Sequence, residues 1–251
     1  MVVRTDAFRS CRVSRLFLPT AAALALVMSA VDAAAVQFET RALTGDAAPG
    51  TVAGVNFSGF STPVLNGAGQ TAFRGGLTGT GVDGSNDNGI WSEGGGSGLA
   101  LVAREGAAAP GTVAGVNFDF FDNPVLNGAG QTAFEGFLTG TAVDGTNNDG
   151  IWSEGGGSGL ELVAREGAAA PGTAGGVNFD FFNDPVLNGA GQTAFRGGLN
   201  GTGVDGSNDT GIWSEGGGSG LALVARAGDA APGTAAGVNF SGFTSPVVLL
   251  N

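Results

Sequence analysis

The nine residues LNGAGQTAF begin at Leu65, again at Leu126 and again at Leu187, 61 residues apart each time. Nothing else in the chain limits the fold so strongly. A chain that rewrites itself must build one small unit several times and pack the copies against each other. The repetition covers whole blocks: Thr51–Gly111, Thr112–Gly172 and Thr173–Gly233 align without a gap, with Trp91, Trp152 and Trp213 in register. Partial copies flank them. Residues 36–50 match the tail of a repeat (FETRALTGDAAPG, from Phe38), and residues 234–251 match the head of one (TAAGVNFSGFTSPV, from Thr234). The β-repeat domain therefore spans 36–251.

Within a repeat the text reads as strands and turns, without helical periodicity. Gly54–Asn66 is an extended segment carrying phenylalanines, with Pro63 marking a strand start or an edge. Gly67–Gly69 is a turn. Gln70–Gly79 is a second strand, placing Thr71, Phe73, Gly75 and Leu77 on one face. After the polar turn Val82–Gly89 comes a short third strand, Gly89–Gly95, with Trp91 opposite Ile90; GGGSG then turns the chain into a fourth, Leu99–Gly106. Four short antiparallel strands in about 60 residues match one propeller blade. The expected fold is all-β, with stacked four-stranded blades packed propeller-fashion and Phe73, Phe134 and Phe195 wedged between neighbours. A β-solenoid is the alternative, although its coils are usually shorter, roughly 20–30 residues. Three blades are fewer than the usual count of about four to eight. Either the two end fragments pair into a fourth blade, or the chain is a truncated, open arc whose bare faces invite self-association. The ending PVVLLN, which abandons PVLNGAG, favours the arc.

Residues 1–35 stand apart. Arg4, Arg9, Arg12 and Arg15 precede the apolar run Leu16–Ala30, and VDAAA offers cleavage after Ala33 or Ala35. That order is a secretory signal peptide, and a 15-residue run broken by Pro19 falls short of the roughly 20 needed to span a bilayer. The one cysteine, Cys11, would leave with it, so disulfides could not staple the mature chain. The remaining 216 residues carry six arginines, no lysine and no histidine against twenty carboxylates, a net charge of −14. Phosphate backbones and anionic membrane surfaces repel such a chain, so neither is an expected partner. Glycine and proline approach the level of low-complexity chains, but Leu, Ile, Val and Phe recur at fixed positions and argue for order.

The block Asn66-x-x-Gly69-x-x-Ala72-Phe73, with its copies at Asn127/Gly130/Ala133/Phe134 and Asn188/Gly191/Ala194/Phe195, resembles the exported bacterial tandem-repeat NxxGxxAF-containing proteins. The GIW and LVAREGAAAPG segments look like that family too. The resemblance covers essentially all of 36–251. It implies a secreted, periplasmic or cell-surface protein with no established activity and supplies no catalytic residues.

Chemistry is bounded mainly by what is missing. Without histidine, lysine, tyrosine or a mature cysteine there is no His-based triad, Lys base, thiolate or histidine-containing zinc site. Carboxylate pairs remain, but Glu93, Glu154 and Glu215 are copies of one position, as are Glu105 and Glu166, and acid–base work needs unlike environments. A non-enzyme is expected, with no catalytic residues and no cofactor other than a calcium ion. The calcium candidates are the polar turns: Asp83, Ser85 and Asp87; Asp144, Thr146 and Asn148; Asp205, Ser207 and Asp209. Oxygen side chains at alternate positions begin calcium loops, but here the glycine falls at position seven instead of six, and such residues suit any exposed turn. Trp91, Trp152 and Trp213 are candidates for stacking on a sugar, with inter-blade core as the alternative. Arg104, Arg165 and Arg226 should bond neighbouring carbonyls or carboxylates. The position occupied by Arg74, Glu135 and Arg196 alternates in charge and is expected on an exposed face where blades meet through salt bridges. The functional expectation is a surface scaffold or adhesion module whose partner is a cell-surface glycan or protein. The alternatives are a calcium-stabilised or lectin-like module and a truncated product with no role of its own.

Overall fold

A computed structural model describes residues 39–246. The expected signal peptide, Cys11 and residues 247–251, which hold the divergent ending, lie outside the described residues. All regular structure in the described residues is β. The first repeat forms β1 (Val55–Phe60), β2 (Val64–Leu65), β3 (Thr71–Gly79), β4 (Asn88–Ser92) and β5 (Ala100–Arg104). The second forms β6 (Val116–Phe121), β7 (Val125–Leu126), β8 (Thr132–Gly140), β9 (Asp149–Ser153) and β10 (Glu161–Arg165). The third forms β11 (Val177–Phe182), β12 (Val186–Leu187), β13 (Thr193–Gly201), β14 (Thr210–Ser214) and β15 (Ala222–Arg226).

Each repeat is one antiparallel sheet of order β1-β3-β4-β5, with the two-residue β2 beside the start of β3. β1 and β2 share one edge of β3, pairing with Gly75–Gly79 and Thr71–Ala72 respectively. They amount to a single edge strand broken at Ser61–Pro63, where proline removes a donor. A bulge between Phe57 and Gly59 shifts the register. It lets Phe57 and Phe60 lie against each other, ring centroids 5.0 Å apart, where strict alternation would send them to opposite faces.

The sheets stack front to back. Ile90 and Ala103 on the back of sheet 1 join Phe118, Phe121, Phe134, Leu138 and Trp152 on the front of sheet 2 in one core. Ile151 and Ala164 join Phe179, Phe182, Phe195, Leu199 and Trp213 in the same way. Phe134 and Phe195 are the expected wedges, both fully buried. Phe73 belongs to a third cluster that Ala42 and Ala48 of the N-terminal fragment help to close. The fold expected from the repeats is thus the one found: stacked four-stranded antiparallel sheets in a propeller-like array.

The tail of each repeat crosses to the next sheet as an extra edge. Ala109 N–H donates to Val116 O and Phe118 N–H to Ala107 O. Trp152 Nε1 then donates to Pro110 O at 3.1 Å, as Trp91 does to Pro49 and Trp213 to Pro171. The end fragments use the same scheme. Ala48 pairs with Val55 of β1, and Phe240 N–H donates to Asp229 O in the tail of the third repeat. Among the described residues, their backbone bonds go to adjacent segments instead of to each other, so the fourth blade that was one expectation is not formed there. The back of sheet 3 is less covered than its counterparts: Ile212 is half-buried, whereas Ile90 and Ile151 are inaccessible.

The nine-residue block owes its recurrence to this stacking. Asn66 Oδ1 accepts from the N–H groups of Ala68 and Gln70, fixing the corner, while Nδ2 donates to Asn127 O in the next sheet at 2.9 Å. Asn127 repeats the pattern and reaches Asn188 O at 2.8 Å. One asparagine column therefore runs across all three sheets. Asn127 is 1% exposed, and truncation takes the acceptor from two backbone N–H groups and the donor from a carbonyl of the next sheet. Asn127→Ala is expected to lower stability by about 2–4 kcal/mol in urea unfolding. A change within about 0.5 kcal/mol would mean the column contributes little.

Candidate functional site

The polar turns are self-braced. In the first, Asp83 Oδ1 accepts from Ser85 N–H and Oγ, and Asn86 Oδ1 accepts from Asp83 N–H. Arg104 Nε and Nη2 both donate to Asn86 O, as expected of that arginine; Arg165 and Arg226 donate Nε to Asn147 O and Asn208 O, and Nη2 to the Oδ1 of the same asparagines. Thr146 and Ser207 bind Asp144 and Asp205 as Ser85 binds Asp83. Those bonds hold the carboxyls of Asp83, Asp144 and Asp205 below their ordinary range. Beside two of the turns lie equivalent clefts. One is lined by Val52, Thr80, Ser85, Asn86 and Arg104, the other by Val113, Thr141, Thr146, Asn147 and Arg165. Val52 and Val113 are 64% and 65% exposed; the third copy has Ala174 in their place.

The tryptophans do not form a stacking platform. Trp91, Trp152 and Trp213 are fully buried, their indole N–H groups taken by proline carbonyls. A sugar could reach them only by parting the sheets. The repeated glutamates are braces: Glu93 Oε2 accepts from Thr71 N–H and Oγ1, and Glu154 from Thr132. Glu93 also pairs with Arg41 at 3.2 Å.

The charge-alternating position is not on an exposed face. In the first two repeats it lies between sheets, and it differs in kind at each level. Arg74 donates Nη1 to Phe121 O of the next sheet at 2.8 Å, with its guanidinium 4.6 Å from the Phe120 ring centroid. Arg196 bonds Asn183 and lies 5.4 Å from the Phe181 ring centroid. Glu135, in β8, sits at the corresponding place on sheet 2 and is 6% exposed. Around it gather Asp122 from the β6–β7 connection, Asp184 from the β11–β12 connection of sheet 3, and Asp149 of β9. Ligand oxygens of Asp122, Glu135 and Asp184 all lie within 4.8 Å of one another. Among the described residues no other trio of His, Cys, Asp or Glu converges this way.

Burial, then repulsion by Asp149, Asp122 and Asp184, pushes Glu135 up to about 9. Burial pushes Asp149 up to about 7, with Glu166 adding repulsion. Asp184 is raised by burial and by Asp122. Asp149 Oδ2 accepts from Phe182 N–H at 3.1 Å, tying it to sheet 3, whereas its Oδ1 is buried without an N–H or hydroxyl donor. The Glu135 carboxyl is within hydrogen-bonding reach of Asp149.

Two stretches of the chain, residues 27–168 and 154–251, match the model of a family of unknown function, DUF7453. The chain belongs to this family. No curated protein and no solved structure matches it. DUF7453 carries no assigned activity, so the roles of residues in this DUF7453 chain rest on its own geometry. Sequence reasoning singled out Glu135 but not its partners. The signal was a comparison of copies: Ser61, Arg74, Asn88 and Asn123 become Asp122, Glu135, Asp149 and Asp184 one repeat later.

Proposed function

We propose that this chain is an exported, non-enzymatic scaffold that binds cell-surface glycan or protein through repeated surface clefts, as an adhesion or interaction module. The observation that carries the reading is the pair of equivalent clefts beside the Arg104 and Arg165 turns, held at a fixed offset by rigid sheet stacking. Two equivalent weak sites on one stack of sheets favour a repeating ligand, because the second contact forms at high effective concentration. Their rims of Ser, Thr, Asn and Arg offer hydrogen bonds to hydroxyl-rich polymers. The absence of histidine, lysine and tyrosine supports a non-catalytic role. Glu135 and Asp149, the most perturbed acids, lie between packed sheets and line neither cleft. The resemblance to exported NxxGxxAF proteins supports delivery to the secreted, periplasmic or surface compartment.

The test is binding of the full chain to arrayed glycans and to isolated bacterial envelope. Binding is expected, with Val113→Asp weakening it by about tenfold or more through loss of one site of the pair. Its melting temperature should stay unchanged, because Val113 is a surface side chain. Failure to bind either material, or equal binding by the variant, would sink the cleft reading.

A further inference from the structure

We propose that Asp122, Glu135 and Asp184 bind one hard divalent cation of the calcium class, which clamps sheet 2 to sheet 3. The donors come from two sheets, Asp122 and Glu135 from one and Asp184 from the other. Their mutual spacing of up to 4.8 Å is that of oxygens around a shared ion at about 2.4 Å each. All three ligands are carboxylates, the set that hard cations take and that soft metals do not prefer. Asp149, next to Glu135, supplies the independent sign. It is 6% exposed, its Oδ1 has no donor, and its carboxyl faces that of Glu135. An orphaned buried carboxylate oxygen is costly unless a proton or a cation answers it. Asp149 would act on the ion through Glu135, as a positioning residue.

The other interface shows what the site replaces. Between sheets 1 and 2 the equivalent place holds the Arg74 guanidinium, bonded across to Phe121 O. In sheet 2 that cation is exchanged for Glu135, and three neighbouring neutral positions turn acidic with it. The charges acting on Glu135 are those of Asp149, Asp122 and Asp184, all of its own sign. A divalent ion supplies the positive charge that arginine supplies one level away. Asp184, at the exposed rim, leaves a route for the ion to enter.

Calorimetry of the EDTA-stripped full chain, titrated separately with Ca²⁺, Mg²⁺ and Mn²⁺, tests this. One ion per chain is expected to bind with a dissociation constant of millimolar or tighter, raising the melting temperature by about 5 °C at saturation. Asp184→Asn should weaken binding by about tenfold or more. Glu135→Arg, which installs the residue found at this position in the other two repeats, should fold and lose the metal response altogether. Asp83→Asn, Asp144→Asn and Asp205→Asn together should leave it intact. No heat and no melting shift with any of the three metals would overturn the proposal. So would three equivalents per chain that survive Glu135→Arg, which would place the ions in the polar turns instead.

Discussion

Gly94→Ala and Gly155→Ala are expected to destabilise the protein by about 3 kcal/mol or more, while Gly216→Ala, in the same SEGGG text, should change stability by no more than about 0.5 kcal/mol. The three glycines hold one position in three repeats. A Cβ on Gly94 would fall 1.5 Å from Gly130 O, and one on Gly155 would fall 1.8 Å from Gly191 O. Both obstacles are backbone of the next sheet's corner, so no side chain can rotate away. Relief requires the sheets to part, opening the core that Phe134 and Phe195 fill. Gly216 meets only Ser214 Oγ at 3.1 Å, which can turn aside. None of the three has positive φ, so the comparison isolates inter-sheet approach from backbone strain. Urea midpoints for the three variants decide it. Equal losses would mean that these glycines serve their own turns and that close stacking does not require them.

The corner glycine answers to both demands. Gly130 has φ +84° and would place its Cβ 2.5 Å from Gly94 O; Gly69, at φ +77°, has open space around it. Read as a sequence, GAG is a turn and nothing more, because chain-local rules see only the dihedral. The partner lies in another repeat, and its closeness follows from a stacking distance no single unit encodes. The same limit explains the other departures. Three in-register tryptophans and phenylalanines made the stacked sheets legible, and the arginines of the fourth strands found the carbonyls expected of them. Whether Trp91 faces solvent or a neighbour depends on which face the adjoining tail covers, and Pro49 O settles that only in three dimensions. Phe57 and Phe60 share a face through a bulge that alternation does not anticipate. The carboxylate group was the hardest to see. Asp122 and Asp184 are 62 residues apart, in different repeats, and near-identity of the copies drew attention away from the positions where they differ.

A lone repeat, residues 112–172, should fail to fold. Its front face would present Phe118, Phe121, Phe134, Leu138 and Trp152 to water, all buried in the intact chain. Burying side chains of this size contributes about 1.5–3 kcal/mol each, so the five together represent roughly 10 kcal/mol. That is comparable with the whole net stability of an ordinary domain, and a unit of about 60 residues has little surplus to absorb it. The excised unit would also lose Ala107–Ala109, which edge β6, and Pro110, which receives the Trp152 indole. Its back would expose Ile151, whose cover comes from Phe179 and Phe195 of the next repeat. Chains of two and three repeats should then show urea midpoints that climb with each added interface, as nearest-neighbour coupling requires. Circular dichroism and amide dispersion of 112–172 give the first reading, and the midpoint series gives the second. A sharp, monomeric melt of the lone repeat would place its stability inside one sheet, and the 61-residue recurrence would need a cause other than mutual burial.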